Sequence, residues 1–237
     1  MALPKLGVPT YEMELPSNGK SVKYRPFLVK EEKVLLLALE SEDDKQISAA
    51  VKDLIKGCVL SRIKVEELPA FDLEYLFLKI RAAAVGEIIS MNITCLDDGK
   101  TVVETDIDIN TVEVFKPEGH TNKIMLDDTI GIIMKYPSMD RFIEAEFLNK
   151  DVKTEEVFDF VADCIDQVYQ GDNVWDMTTV TKKELKAWIE TFTTKQFEQI
   201  SNFYETMPKL RHEFKVTNPN TGVESTYTIE GLQSFFA

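Results

Sequence analysis

The chain is 237 residues long, 44% hydrophobic and 29% charged, which supplies material for a buried core and argues against a chain dominated by disorder. Its 27 lysines and arginines against 41 aspartates and glutamates leave a net charge of −14; nucleic-acid binding is therefore not expected, because affinity for a phosphate backbone comes largely from basic side chains displacing counterions. The longest apolar runs, residues 34–39 and 130–134, fall well short of the about 18–20 residues of a membrane helix, and no basic segment followed by an apolar run marks a signal peptide, so the cytoplasm of the producing cell is the expected location.

In chain order, residues 10–15 and 21–27 read as a hairpin closed by Pro16-Ser17-Asn18-Gly19, with Asn-Gly supplying positive φ. Residues 30–40 are apolar over more than one face and predict a partly buried helix. Glu42-Asp43-Asp44 opens a second helix whose Ile47, Ala50, Val51, Leu54, Ile55 and Cys58 repeat with the helical period. A third helix starts near Leu68 and carries Leu73, Leu76, Phe77 and Ile80. Two strands follow, residues 87–94 and 100–108, joined by Cys95-Leu96-Asp97-Asp98-Gly99; the alternation along 105–109 predicts one buried face. An edge segment at 112–115 stops at Lys116-Pro117.

Residues 127–136 fit a helix or a strand equally well, and 138–149 predict a helix. Thr154 caps another helix, whose stripe of Val157, Phe158, Val161, Ala162, Ile165 and Val168 is ended by Gly171-Asp172-Asn173. Residues 174–180 read as a short strand or loop. Thr181 and Glu184 match a capping box ahead of Leu185, Trp188, Ile189 and Phe192. A further short helix runs to about Met207, and residues 210–216 with 224–229 form a last hairpin. The expected class is α+β: an N-terminal hairpin with helices, a central antiparallel hairpin, and a helical C-terminal half closed by a hairpin. The best boundary, 116–122, divides an N-terminal α+β domain (1–116) from a mainly helical domain with the C-terminal hairpin (123–237), or the whole is one compact unit.

Nothing in the sequence matches a phosphate-binding loop, a dinucleotide glycine fingerprint, a zinc-protease helix or a nucleophile elbow. No enzyme, catalytic residue or cofactor is expected. With two histidines, His120 and His212, and three separated cysteines, Cys58, Cys95 and Cys164, neither a disulfide framework nor a closed four-ligand zinc site can be assembled. Cys58 and Cys164 sit within helical patterns as small buried apolar residues. Cys95 is the one thiol placed on an exposed turn, where Asp97 and Asp98 would raise its pKa and blunt it. The paired carboxylates Asp43-Asp44, Asp97-Asp98, Asp106 with Asp108, and Asp127-Asp128 read as solvated faces. One internal echo stands out: residues 94–99 resemble residues 217–222, each joining two strands and ending on glycine. Cys95 and Asn218 occupy the first cysteine place of a zinc-ribbon knuckle, Asp98 and Thr221 the second. The pair is either two knuckles that lost a metal or two ordinary hairpin turns.

The opening Met-Ala-Leu-Pro-Lys-Leu, residues 11–20 and 23–33, residues 71–81 with Val85-Gly86-Glu87, and the ending Gly231-Leu232-Gln233-Ser234-Phe235-Phe236 resemble the baseplate hub assembly proteins of T-even-like myophages. The resemblance implies assembly work: binding other hub or tail proteins in the host cytoplasm, as a chaperone or as a subunit kept in the virion baseplate. It also implies cysteines at the knuckle places in some members, a pattern from which this chain departs. Candidate partner contacts are Tyr24, Arg25 and Phe27 within residues 23–33, and Phe235 and Phe236 at the end, aromatic residues being favoured at interface centres. Oligomeric state is not specified by any of these features.

Overall fold

The computed structural model describes residues 6–41, 43–148, 154–231 and 234. The elements in chain order are β1 (Tyr11–Glu14), β2 (Ser21–Tyr24), α1 (Val29–Leu39), α2 (Asp44–Cys58), α3 (Ala70–Val85), β3 (Ile88–Thr94), β4 (Val102–Asp108), β5 (Glu113–Phe115), β6 (Lys123–Met125) and β7 (Ile130–Met134). They continue with α4 (Met139–Leu148), α5 (Thr154–Cys164), β8 (Ile165–Gln170), β9 (Asn173–Asp176), α6 (Lys182–Ile189), α7 (Thr194–Glu205), β10 (Lys209–Thr217) and β11 (Glu224–Glu230). Small antiparallel sheets and helices make an α+β fold. Among the described residues no helix is long and apolar enough to cross a membrane.

The chain forms two compact units. The first takes residues 1–115 and 209–237; the second takes residues 116–208. The chain leaves the first unit after Phe115. The terminal hairpin differs from the expected grouping: β10 pairs antiparallel with β5, Leu210 opposite Val114, and so belongs with the N-terminal part. That pairing joins strands about a hundred residues apart, and nothing local in either strand announces it.

In the first unit, β1 and β2 pair from Tyr11↔Tyr24 to Glu14↔Ser21. Gly19 closes their turn at φ 68° and donates to the Leu15 carbonyl at 2.8 Å, the left-handed position glycine takes without a Cβ penalty. Asp43 caps α2 by accepting from the backbone N–H groups of Lys45 (2.9 Å) and Gln46 (3.3 Å). The inner stripe of α2, Val51, Leu54, Ile55 and Cys58, is buried as the periodicity requires. Helix α3 is the centre of this unit: Leu73, Leu76, Phe77, Leu78 and Ile80 are all within 1% of full burial. Its buried Asp72 accepts from the Ser17 backbone N–H at 2.9 Å and from the Ser17 hydroxyl, which pins the β1–β2 turn onto the helix.

In the second unit, β6-β7-β8-β9 form an antiparallel sheet whose core joins Ile124, Ile132 and Val168 to residues of α5, α6 and α7. One open alternative is resolved here and one expectation changes. Residues 130–134 resolve as strand, and the helix expected through Val168 stops at Cys164. Residues 165–170 are instead β8, in hairpin with β9 across Gly171 at φ 58°. The misleading signal has a physical cause. Met134 pairs with Ile165 but Ile133 pairs with Gln167, so Asp166 is an extra residue, a bulge. The bulge returns Ile165 and Val168, three apart, to one buried face. A spacing of three is what a helix would show. The capping box of α6 forms as expected: Glu184 N–H donates to Thr181 Oγ1 (3.3 Å) and Thr181 N–H to Glu184 Oε2 (3.0 Å).

Candidate functional site

Three of the expected partner contacts lie together at the end of β2. Tyr24 is 6% exposed, stacks on Tyr11 with ring centroids 5.7 Å apart, and bridges by its backbone to Val59. Arg25 donates to Glu31 Oε1 (2.9 Å), the Gly57 carbonyl (2.6 Å) and the Pro26 carbonyl (2.8 Å). It ties the end of β2 to the start of α1 and the end of α2. Phe27 is half-buried. The fold's own contacts thus account for Tyr24 and Arg25, and the strand's alternation, which turns Val22 and Tyr24 inward, is the signal that could have shown it for Tyr24. Phe235 and Phe236 lie outside the described residues.

The two echoed turns come together. Asp97 in the β3–β4 turn accepts from both sides of the β10–β11 turn. Asn218 Nδ2 donates to its Oδ1 (3.0 Å) and Oδ2 (3.1 Å), and the Thr221 hydroxyl donates to Oδ2 (2.6 Å). Asn220 Nδ2 adds a bond to Thr101 Oγ1 (2.9 Å), and the Tyr227 hydroxyl accepts from Leu96 N–H (2.8 Å) and donates to the Thr94 carbonyl (3.1 Å). The hydrogen bonds of Asn218 and then Thr221 hold the Asp97 carboxyl below its ordinary range. Each turn keeps its glycine at positive φ, 62° for Gly99 and 74° for Gly222. The clasp is thus made of amide, hydroxyl and carboxylate groups joining turns 121 residues apart in sequence. Among the described residues no group of three or more His, Cys, Asp or Glu is placed to hold a metal.

Cys95, expected on an exposed turn, is instead 2% exposed, and burial together with Asp97 and Asp98 raises its pKa. Cys58 and Cys164 are also buried, and burial pushes each thiol up to about 11. None is therefore poised as a thiolate. Several of the paired carboxylates serve turns. Asp43, Asp98 and Asp127 each accept backbone N–H groups two and three residues on; the Gln46 side chain first for Asp43, the Thr101 hydroxyl first for Asp98, and backbone N–H groups first for Asp127 hold their pKa values down.

The second unit carries an apolar hollow of about 290 Å³ between the β8–β9 hairpin and α6. Val168, Trp175, Met177, Leu185 and Trp188 line it, with Glu184 and Gln170 at its edge. Trp175 is 42% exposed on β9 although its strand neighbour Val168 is buried, and Trp188 is braced edge-on by Phe192 at 4.7 Å. In sequence Trp188 falls on a helical stripe, and Trp175 in a stretch open to strand or loop. The hairpin chemistry of residues 171–173 is the signal that would have placed Trp175 on a strand at the surface. The lining of the hollow is mainly apolar, with Gln170 and Glu184 as its polar members.

The family model described as T4 bacteriophage base plate protein matches residues 8–237. The chain belongs to the T4 bacteriophage base plate protein family. No curated protein and no solved structure matches it. A role in the phage baseplate follows from the family, and with it interaction with other baseplate or tail proteins.

Proposed function

We propose that this baseplate-family chain is a non-enzymatic assembly factor for the baseplate hub. It binds other hub or tail proteins in the host cytoplasm while the contractile tail is built. The family match over residues 8–237 carries the reading. The aromatic hollow of the second unit supports it, because tryptophans at a partly open apolar site are the residue type that dominates binding energy at interfaces. The occupant we assign is a large apolar side chain presented by a hub protein.

Co-expression with the hub and tail proteins of the same genome, followed by affinity capture, tests the proposal. A defined complex is expected, weakened about 10- to 100-fold by Trp175→Ala, the range for losing one aromatic anchor. A chain that captures none of those proteins would sink it. The description of the family as a base plate protein favours one second reading, a structural subunit retained in the particle. Mass spectrometry of purified virions separates the two: absence fits the assembly factor, and presence at stoichiometric level fits the subunit.

A further inference from the structure

Among the described residues, nothing covers one apolar stripe of helix α1, on a different side from the buried Leu35. Of its eleven residues, Val29–Leu39, Leu35 is the one that is fully buried. Val29 is 79% exposed, Val34 52%, Leu36 53% and Leu37 56%. Isolated exposed leucines are ordinary, but these are contiguous. Positions 29, 33, 36, 37 and 40 follow the i, i+4, i+7, i+8, i+11 spacing of a single helical stripe. The stripe is apolar at its centre, Leu36 and Leu37, with Lys33 on the N-terminal side and Glu40 on the C-terminal side, both exposed. Among the described residues neither Lys33 nor Glu40 has an ion-pair partner. Glu40 is moreover the C-cap, at the negative end of the helix dipole, with no basic residue in the last turn. An acid there is unfavourable for the helix by itself.

The order Lys33, Leu36-Leu37, Glu40 is complementary to itself when reversed. A two-fold axis between Leu36 and Leu37 sets Leu36 against Leu37 of a second copy and Lys33 against its Glu40. A parallel arrangement would instead oppose lysine to lysine and glutamate to glutamate. A surface built for an unrelated partner has no need for its own two ends to match. We infer that α1 is a self-association surface, on which a second copy of this chain packs antiparallel through Leu36 and Leu37 with reciprocal Lys33–Glu40 ion pairs. The interface is isologous, as two-fold dimers require. Eleven residues make a helix about 16 Å long, which covers less than the about 800 Å² per partner of a standard interface. The dimer is therefore weak, with a dissociation constant on the order of 10–100 µM. This inference stands apart from the hub-binding reading, which rests on the family and on the second unit.

Sedimentation equilibrium of the full chain from micromolar to several hundred micromolar tests it. A reversible monomer–dimer equilibrium is expected, with circular dichroism confirming that each variant is folded. Leu37→Glu shifts the midpoint at least about tenfold toward monomer. Lys33→Glu and Glu40→Lys each weaken association, and the two together restore it to within about threefold of the unmodified chain, since the swapped charges again meet their opposites. A chain that stays monomeric throughout overturns the inference. So does a dimer indifferent to Leu37→Glu, or a charge-swapped double variant no better than either single. If Leu37→Glu abolishes binding to a hub protein while the unmodified chain never self-associates, the stripe belongs to that partner and the inference fails.

Discussion

Gly131 on β7 lies directly opposite Tyr169 on β8, and the tyrosine ring lies across it. Gly131 has an ordinary φ for a strand, so alanine would meet no backbone strain. The obstacle is the ring. A Cβ at 131 would sit 2.8 Å from Tyr169 Cε2 and closer still to Cζ and Oη. Gly131→Ala must therefore swing the ring away and break the bond from the Tyr169 hydroxyl to Met125 Sδ. Overpacking of this kind costs about 1–3 kcal/mol, and the lower chain entropy of alanine returns about 0.4–1 kcal/mol. A net loss of about 1–2 kcal/mol follows. The decisive comparison is the same substitution in a Tyr169→Ala background. With the ring gone, only the entropic gain remains, and Gly131→Ala becomes neutral or slightly stabilising. The sequence has two tryptophans, Trp175 and Trp188, and both are in the second unit. Urea unfolding followed by tryptophan fluorescence thus reads this unit directly. A coupling of about 1 kcal/mol or more between the two substitutions is expected. Equal destabilisation with and without Tyr169 would refute the reasoning.

Asn218→Ala removes a buried amide that donates to Asp97 and accepts from the Asn220 backbone N–H at 2.9 Å. It should destabilise the first unit by about 1–3 kcal/mol, seen as faster amide exchange in the β3–β4 and β10–β11 hairpins with the tryptophan signal unchanged. Asp97, held low by Asn218 and Thr221, contributes stability present above the unfolded carboxylate pKa and lost as pH falls through its lower folded value. The difference between the variant and the unmodified chain should therefore narrow in strong acid; a difference constant with pH would argue against the clasp. His120 is buried between the Tyr136 hydroxyl (3.0 Å) and Thr206 Oγ1 (2.9 Å), stacked on Phe203. Burial first and the charge of Lys116 second lower its pKa. Its neutral form is favoured in the fold, so stability of the second unit is full above the ordinary histidine range and declines as pH drops through it. Tryptophan-detected unfolding between about pH 5 and 7.5, with His120→Gln as the flattened reference, reads that slope.

Much of the fold was legible because the signals were local. Asn18-Gly19, the Asp43 cap, the Thr181–Glu184 box and the glycines at 99 and 222 act through atoms within a few residues of each other, and each forms as its chemistry requires. The same locality explains the failure at 165–170. A bulge at Asp166 reproduces helical spacing in a strand, and only the partner strand reveals which it is. Residue type at Tyr24 and Arg25 did not reveal the contacts that these side chains make within the fold.

The amino-acid sequence alone determined the acidic balance, the α+β class, the turns and caps, and the family resemblance, since these depend on composition and on neighbours along the chain. Only the tertiary structure decided that the terminal hairpin joins β5, that the two echoed turns meet on Asp97, and that the Leu36-Leu37 stripe is left uncovered. Burial and pairing are properties of what packs against a residue. For these elements the packing partner lies far away in the chain, where no local pattern encodes its position.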